Sequence, residues 1–505
     1  MRNVLRRAAA ALGVFIGSSI LPIACGGDGG SGPDEQQQMQ QPPPPPPVVV
    51  ASVDLTPGAP SVVVGGTVSL TATARDAAGG AVAGKSAAWA ITPNGVAEVA
   101  SAAGGAATLR GVAAGTATVR ATVDAAFREV TLTVTPAPVT TTPLGALRSI
   151  SAGDAYVCGL LPDGAAYCWG KNGSGQLGDG TTTRRTTAVP VAGGLLFDVV
   201  AAGTTHTCGV TTGHRVYCWG SNTFGELGDG TTTARAAPTA VALPAGVDFR
   251  RVAVGRFHGC AATAAGAAYC WGYNGHGELG SGAPASSSPN PTPVAVAGGL
   301  QFASLVAGAV HTCGITTPAR DTYCWGSNES GQLGDGTTTN RATPTALAAG
   351  TPRFWQLTAG LEHSCGLPDD TRIWCWGGNQ SAQLGGATGT HSPTPFQMAG
   401  FAAGPAVRVT SGAASSHTCA IITGGEAYCW GANGSAQLGN AAAATSAPPV
   451  RVSRGALYLE MVSAGRTHSC FLLLDGTPYC VGGNESGQLG DGTTTARTGL
   501  TRVLR

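Results

Sequence analysis

Residues Cys168 to Gly180 read Cys-Trp-Gly-Lys-Asn-Gly-Ser-Gly-Gln-Leu-Gly-Asp-Gly, and variants of this phrase recur through most of the chain. Six copies begin with Cys-Trp-Gly, and a seventh has Val481 in place of Trp. The copies follow one another at intervals of 50 to 54 residues. A period near 50 residues with several short strand patterns per unit indicates propeller blades. The repeats therefore predict a seven-bladed β-propeller over residues 143–505.

The cysteines of the repeats fall into seven local pairs, and one further cysteine, Cys25, lies near the start of the chain. Each pair flanks a strand, a turn and a second strand, so its members face each other across an antiparallel hairpin at disulfide distance. Zinc is disfavoured because the spacing does not offer close Cys-x-x-Cys ligand pairs. The expected disulfides are Cys158–Cys168, Cys208–Cys218, Cys260–Cys270, Cys313–Cys324, Cys365–Cys375, Cys419–Cys429 and Cys470–Cys480. Such a chain is expected outside the reducing cytosol.

The start of the chain carries the pattern of an export signal followed by a tether. Three arginines precede an apolar stretch over residues 8–23, which is too short to span a bilayer but suits a secretory signal. The Ala-Cys-Gly-Gly that follows resembles a bacterial lipoprotein signal, which implies a signal peptide over residues 1–24 and a lipid on Cys25. Plain secretion and an uncleaved anchor are the alternatives. Residues 25–47 end in six prolines and have little to bury, so we expect a tether.

Residues 48–136 carry short alternating runs separated by glycine pairs, a pattern typical of antiparallel strands. About seven such runs, with Trp89 as the large core residue, predict an immunoglobulin-like sandwich. The stretches at 64–70 and 111–119 resemble the bacterial Ig-like group 2 family, which implies a stalk or adhesion module without chemistry. A linker is expected at residues 137–142.

The phrase at residues 169–180, with Ala-Gly-x-x-His before each hairpin, resembles the regulator of chromosome condensation repeat family. The resemblance extends over about 70% of the chain and implies a seven-bladed propeller. The family's exchange-factor role is not carried over, because no partner-contacting motif matches. The fold class is therefore expected to be all-β, a seven-bladed propeller preceded by an immunoglobulin-like sandwich. Val481, Tyr156, Ala382 and Ala436 depart from the repeat and are expected to weaken individual blades.

Two further residue types recur at fixed places in the repeats. Strand alternation places six tryptophans between neighbouring blades, where core packing is favoured over a ligand-stacking platform. A histidine precedes the first cysteine in six repeats, and Tyr156 takes its place in the first. Equivalent positions lie whole blades apart, so buried, hydrogen-bonded structural histidines are expected, with no metal and no cofactor. These residues are Trp169, Trp219, Trp271, Trp325, Trp376 and Trp430, and His206, His258, His311, His363, His417 and His468.

Four repeats carry an Asp-Gly-Thr-Thr-Thr segment with an arginine six residues after the aspartate. Calcium is disfavoured because each copy brings one carboxylate where a site needs several oxygens, so a turn is the better interpretation. The arginines are either exposed residues paired with nearby aspartates or the rim of a partner-binding surface. The four pairs are Asp179 and Arg185, Asp229 and Arg235, Asp335 and Arg341, and Asp491 and Arg497.

Composition and motifs favour a binding protein over other function classes. A net charge of +1 provides no basic field for nucleic acid or an anionic membrane. No nucleophile elbow, carboxylate pair or helix-linked phosphate loop stands out, so no catalytic residue is predicted. The expected protein is a monomeric, lipid-anchored outer-membrane lipoprotein of a bacterial envelope, or a secreted one, and it binds a protein or surface polymer. It touches the membrane only through its anchor. A secreted inhibitor of an extracellular enzyme and an extracellular enzyme are the alternatives.

Overall fold

The computed structural model describes residues 48–135, 142–244, 246–386, 389–399, 401, 403–440, 445–452 and 458–505. The chain divides into two compact units, residues 1–139 and 140–505. The described elements are all β-strands, and they form nine four-stranded sheets. No helix that could cross a membrane occurs in these ranges. The predicted signal peptide, Cys25 and the tether lie outside the described residues.

The first unit has eight strands. They are β1 Ser52–Thr56, β2 Ser61–Val63, β3 Thr67–Arg75, β4 Ala88–Thr92, β5 Ala97–Ala103, β6 Ala106–Gly111, β7 Gly115–Val123 and β8 Ala126–Thr135. One sheet has the order β1-β3-β6-β5 and the other β2-β8-β7-β4, with only the β2–β8 pair parallel. This is the immunoglobulin-like sandwich that the alternating pattern predicts. Alternate residues of the strands face a core centred on Leu70, Leu109, Val119 and Leu132, which are fully buried.

Trp89 occupies a less central place than the sequence predicts. It is half-buried and packs against the core of the sandwich from β4. The reason is that β4 lies at the edge of its sheet, where only one neighbouring strand covers it. The small unit is therefore held together by aliphatic residues in its inner strands.

The second unit has seven blades of four strands each. Blades 1 to 4 contain β9 Ser149–Ala152, β10 Tyr156–Leu160, β11 Ala166–Gly170, β12 Arg185–Pro190, β13 Phe197–Ala202, β14 His206–Thr211, β15 Val216–Gly220, β16 Arg235–Ala240, β17 Phe249–Val254, β18 His258–Thr263, β19 Ala268–Asn274, β20 Ser286–Ala295, β21 Phe302–Ala307, β22 His311–Thr316, β23 Thr322–Gly326 and β24 Arg341–Ala346. Blades 5 to 7 contain β25 Phe354–Ala359, β26 His363–Pro368, β27 Trp374–Gly378, β28 His391–Gln397, β29 Ala406–Thr410, β30 His417–Ile422, β31 Glu426–Ala432, β32 Thr445–Arg451, β33 Leu459–Ala464, β34 His468–Leu473, β35 Pro478–Gly482 and β36 Arg497–Arg502.

Each blade takes its four strands from consecutive sequence, and its first strand lies innermost. Residues of all seven first strands line a central channel of about 220 Å³. The blades are antiparallel throughout, so the loops fall on two faces. We call the face that carries the first-to-second and third-to-fourth strand loops the loop face; in blade 1 these are residues 153–155 and 171–184. The opposite side, with the hairpin turns and the connections between blades, is the turn face.

The ring closes without exchange of a strand between blades. The backbone N–H of Thr142 donates to the carbonyl of Arg505 at 3.0 Å, and the N–H of Arg505 donates back at 2.8 Å. Leu144 and Ala188 of the first blade also donate to carbonyls of residues 503 and 504. Thr142, which the sequence assigns to the linker, is therefore part of the ring closure.

Candidate functional site

The central hairpin of every blade carries one disulfide. Cys158 lies directly opposite Cys168 in the register of β10 and β11, and the same register holds in the other six blades. The structure joins all seven predicted pairs, and all fourteen cysteines are fully buried. The bridges are local, so each one stabilises a single blade and none connects two blades.

The boundaries between blades are held by a repeated polar contact. At the boundary of blades 1 and 2, the carbonyl of Gln176 accepts hydrogen bonds from the Trp219 indole at 3.0 Å and the Thr207 hydroxyl at 2.9 Å. Gly178 sits beside this indole at a φ of 69°, and a Cβ there would lie 2.6 Å from the indole nitrogen. The Gln-Leu-Gly motif therefore presents a carbonyl to the next blade and leaves room for its tryptophan. All six repeat tryptophans are fully buried at such boundaries, as predicted.

The recurrent histidines extend this contact. The Nε2 atom of His258 lies 2.9 Å from the hydroxyl of Thr312 in the next blade, and that hydroxyl lies 3.3 Å from the Glu278 carbonyl. Since the hydroxyl donates its only proton to the carbonyl, Nε2 of the histidine must carry a proton and donate to the hydroxyl. The same arrangement joins His311 to Ser364, His363 to Thr418, and His417 to Ser469. These histidines have the structural, hydrogen-bonded role that the sequence predicts.

Two histidines depart from that prediction. Neither ring nitrogen of His206 or of His468 has a hydrogen-bond partner in the described structure. The physical reason lies in the following blade, where the hydroxyl position is Gly259 for His206 and Val157 for His468. Burial lowers the pKa of both histidines to about 3, so both are neutral in the fold.

Burial has the same effect on the other buried histidines. It lowers the pKa of His258 to about 4, and burial first, with nearby histidines second, lowers that of His311 to about 3. His363 and His417 have pKa values of about 3 for the same leading reason. Tyr156, which replaces the histidine in blade 1, donates to the His206 carbonyl at 2.6 Å and is also buried, which raises its pKa.

The Asp-Gly-Thr-Thr-Thr segments fold into closed turns. In blade 1 the side-chain amide of Asn172 donates to Asp179 at 3.1 Å and to the carbonyls of Thr181 and Thr183 at 3.0 Å. Asp179 also accepts from the Thr181 hydroxyl at 2.7 Å and from the Arg185 Nε atom at 2.8 Å. Burial opposes ionisation of Asp179, but these hydrogen bonds outweigh it and lower the pKa of the carboxyl. These hydrogen bonds close the segment as a turn, the structure that its sequence favours.

The same turn recurs in the three other repeats that carry the motif. In each, the arginine pairs with the aspartate six residues earlier, whose side chain is buried while the arginine is about one-third exposed. The four predicted rim arginines therefore lie on the loop face with one edge of each guanidinium bound to its own loop. The rim hypothesis stays a prediction. In blade 3 the arginine position is Asn290, and in blade 5 it is Ser392.

Two buried carboxyl groups were not predicted from the sequence. Glu226 and Glu278 stand where the other five repeats have glutamine, and both are fully buried. Burial raises the pKa of each carboxyl, while backbone N–H groups and neighbouring polar side chains act in the opposite direction. The sequence shows this difference directly, because these two repeats read Glu-Leu-Gly where the other five read Gln-Leu-Gly. They occupy the position of the structural glutamine, and their carboxyl oxygens accept hydrogen bonds from the backbone N–H groups of Phe224 and His276.

The two faces of the ring offer different surfaces. On the loop face, a pit of about 360 Å³ lies over the central axis and is lined by charged, hydroxyl and aromatic groups. On the turn face, an apolar groove of about 440 Å³ crosses blades 5 to 7. Trp355 is 45% exposed, Tyr458 64% and Leu474 76%, and all three line that groove. The described residues contain no group of three or more His, Cys, Asp or Glu side chains able to hold a metal ion.

Comparison with family models agrees with this architecture. The regulator of chromosome condensation (RCC1) repeat matches residues 163–210, 214–262, 265–315, 321–367 and 424–472. A second model of that repeat matches residues 147–176, 198–226, 249–278 and 462–488. The bacterial Ig-like domain (group 2) matches residues 49–134. Both units thus match the families that their sequence motifs resemble.

Several known proteins are similar to the propeller. The ultraviolet-B receptor UVR8 of Arabidopsis thaliana is 28% identical over 362 residues, which are 71% of this chain and 81% of the receptor. The E3 ubiquitin-protein ligase HERC2 of Mus musculus is 28% identical over 276 residues, 52% of this chain but only 5% of the ligase. The crystal structure of human WBSCR16 has a TM-score of 0.61 at 20% identity and covers 67% of this chain and 93% of its own. That last likeness concerns the fold alone.

Proposed function

The chain belongs to the regulator of chromosome condensation repeat family, and from that premise we propose that it is an exported, non-catalytic interaction protein. Its propeller binds a protein or a surface polymer outside the cytoplasm, and its Ig-like domain and N-terminal tether carry the propeller away from a lipid anchor at Cys25. The observation that carries the proposal is the set of seven buried disulfides, one in each blade.

The disulfides support the location outside the cytosol. Structural disulfides persist in oxidising compartments and are rare where thiols are kept reduced. Each bridge closes a loop of about ten residues, which in the chain-entropy model contributes roughly 2–3 kcal/mol to the stability of a blade. Since the blades are rich in Gly and Ala and bury small side chains, this contribution favours a rigid ring. The bacterial Ig-like domain supports the same location.

The use of the recurrent polar residues supports binding over catalysis. Four of the repeat histidines donate to hydroxyl groups at blade boundaries, and the four motif aspartates are tied into their own loops. These are the groups from which a catalytic site would most readily be built, and they are committed to the fold. A rigid ring with a charged pit on one face and an apolar groove on the other offers partners two preformed surfaces.

Export and anchoring are tested in cells that produce the full chain with its own leader. We expect the protein in the membrane fraction, with Cys25 lipidated and no reactive thiol in residues 143–505 after denaturation without reductant. A Cys25→Ser variant is the matched control and should leave the membrane fraction while its seven disulfides form as before. Recovery of the unprocessed chain in the cytosol with reduced cysteines would overturn the proposal.

Binding is tested with the purified, oxidised chain against isolated envelope proteins and polysaccharides of the producing bacterium. We expect saturable binding of one component, competed by soluble propeller, with no change in the rate of any enzyme in the mixture. Stoichiometric block of a secreted enzyme would favour the inhibitor alternative. Turnover of a substrate by the purified chain would contradict the non-catalytic assignment.

A further inference from the structure

The pit on the loop face has a chemical character of its own. It is formed by the first-to-second strand loops, which converge over the axis from several blades, and by Lys171 at the start of a longer loop. Its cationic groups are Lys171, Arg256 and Arg466, and its one carboxylate is Asp154. The lining therefore carries a formal charge of +2, in a chain whose net charge is only +1.

Asp154 does not neutralise these cations fully. Its side chain is 11% exposed, and its oxygens lie 3.6 Å from the Lys171 Nζ atom and 3.7 Å from an Arg466 nitrogen. Charge-assisted hydrogen bonds are normally 2.7–2.9 Å long, so both contacts are loose and leave donors free. Arg256 is exposed and makes no ion pair within the described ranges; its guanidinium lies 4.8 Å from the centre of the Phe257 ring.

Two hydroxyl groups of the pit are available to hydrogen-bond a ligand. The side-chain oxygens of Thr204 and Thr205 are buried, line the pit, and have no hydrogen-bond partner in the described structure. Hydroxyls in such positions are normally bound to protein, water or a ligand. These threonines lie in the first-to-second strand loop of blade 2, and Arg256 lies in the equivalent loop of blade 3. Hydroxyl donors and cations therefore line the same pit.

The rest of the lining is apolar. Leu361 and Ala414 come from blades 5 and 6, and Phe257 from blade 3. Phe257 belongs to an aromatic cluster in which its ring lies 5.1 Å from Phe224 and 6.2 Å from Tyr273. A ligand for this pit therefore needs a negative group and an apolar group side by side.

We propose that the pit binds an acidic segment of a partner polypeptide, with a carboxylate against Arg256 and the threonine hydroxyls and an adjacent apolar side chain against Leu361 and Phe257. This inference rests on the proposed binding function and names the chemistry of its partner. A peptide fits better than an acidic sugar, because the lining beside the cations includes the apolar side chains of Leu361, Ala414 and Phe257, which suit an aliphatic side chain. The volume of about 360 Å³ suits one or two side chains.

The test uses two small peptides and the purified, oxidised full chain. N-acetyl-glutamyl-leucinamide is the acidic probe, and N-acetyl-glutaminyl-leucinamide is its neutral match in shape. By calorimetry and ligand-observed NMR at low ionic strength, we expect the acidic peptide to bind with a Kd on the order of 1 mM and the neutral one about tenfold more weakly. Binding should weaken as salt is added.

Three variants localise the binding. Arg256→Gln should weaken the acidic peptide about tenfold, which corresponds to about 1.4 kcal/mol. Arg250→Gln is the matched control, because Arg250 is exposed in the same blade at the turn-face end of β17, and should change nothing. Asp154→Asn raises the charge of the pit and should tighten binding severalfold, a gain that misfolding cannot produce.

Equal affinity for the two peptides, no saturable binding of either, or an unchanged affinity in Arg256→Gln would overturn the proposal. Tighter binding of glucuronic acid than of the acidic peptide would overturn the peptide assignment and indicate an acidic polysaccharide. Because these measurements use purified protein, they fail independently of the export and anchoring test in cells.

Discussion

The seven boundaries between blades are built to one plan, yet only four of them carry it complete. At a complete boundary, one backbone carbonyl accepts hydrogen bonds from an indole N–H and from a hydroxyl, and a histidine or Tyr156 contacts that hydroxyl. Complete boundaries occur between blades 1 and 2, 3 and 4, 4 and 5, and 5 and 6. The boundary of blades 2 and 3 lacks the hydroxyl because of Gly259, and that of blades 7 and 1 lacks it because of Val157. The boundary of blades 6 and 7 lacks the indole because of Val481.

A propeller therefore tolerates a missing polar contact where packing or connectivity replaces it. The closing boundary of blades 7 and 1 keeps its indole contact, from Trp169 to the Gln488 carbonyl at 3.0 Å, and gains the backbone bonds between the two chain ends. At the boundary of blades 6 and 7, Ser469 still donates to the Gln437 carbonyl at 2.8 Å. Val481 is fully buried there and fills part of the space of the indole.

Acid should change the stability of the propeller more than any substitution, because it acts on the histidines of complete and incomplete boundaries together. The six buried histidines have pKa values of about 3 to 4 in the fold and an ordinary value near 6.5 when unfolded. The unfolded chain therefore binds more protons below pH 6.5. The stability that the neutral histidines contribute is fully present above that pH and is lost as the pH falls toward 3, by about 1.4 kcal/mol per pH unit for each histidine.

Calorimetry between pH 7.5 and pH 4.5 checks this, with a steep fall in Tm expected below about pH 6.5. The raised pKa values of Glu226 and Glu278 act in the opposite direction at the acidic end, but two carboxyls oppose six histidines. A Tm that stays constant over this range would contradict the buried, neutral state of the histidines.

Removal of one hydroxyl converts a complete boundary into an incomplete one. Thr312→Val deletes the group that links His258 to the Glu278 carbonyl while nearly keeping its shape. The His258 N–H loses its acceptor in a buried place, so we expect a loss of about 2 kcal/mol in the free energy of unfolding. Denaturant titration measures it, and a change below about 0.5 kcal/mol would show that the hydroxyl is not needed.

A substitution in the opposite sense should complete the boundary of blades 7 and 1. Val157→Thr places a hydroxyl where His468 lacks an acceptor and near the carbonyl of Gln488, which Trp169 already contacts. Two new hydrogen bonds at a buried site should raise the free energy of unfolding by about 1 kcal/mol. Its matched control is Val157→Ala, which leaves His468 without a partner and should destabilise the fold through lost packing. A destabilised Val157→Thr protein would show that the site cannot accommodate the hydroxyl.

The smallest expected effect concerns the loop that presents the acceptor carbonyl. Ala382 has a φ of 61°, whereas the equivalent residues in five other repeats are glycine with φ between 75° and 90°. Ala382→Gly removes the left-handed strain of a residue with a Cβ, so it should stabilise by about 0.5–1 kcal/mol. Ala436, with a φ of 63°, is the second site for the same test. No change or a loss in Tm for both variants would show that neither alanine is strained.

The features that repeat in every blade could be predicted from the sequence. The seven Cys-x-Gly starts set the number of blades, and the spacing of each cysteine pair across a turn predicted the facing register of Cys158 with Cys168. The burial of the repeat tryptophans followed from alternation along short strands. The repeat count, the facing cysteines and the alternation of side chains along a strand depend on residues close together in the sequence, so local geometry is enough to derive them.

The features between repeats could not be derived in the same way. A hydroxyl one residue after five of the six repeat histidines was visible in the sequence, but its partner lies about 53 residues away in the neighbouring blade. The absence of a partner for His206 follows from Gly259, and only the packing of two blades brings those positions together. The pit is likewise assembled from Arg256, Arg466 and Thr204, which no spacing rule connects.

The sequence alone established an all-β chain in which an immunoglobulin-like sandwich is followed by seven disulfide-bonded blades, because hairpin pairing and strand alternation are local properties. The three-dimensional packing decided which boundaries hold a full set of hydrogen bonds, how the chain ends meet, and where charges converge over the axis. Those depend on side chains that approach one another only after the ring has closed.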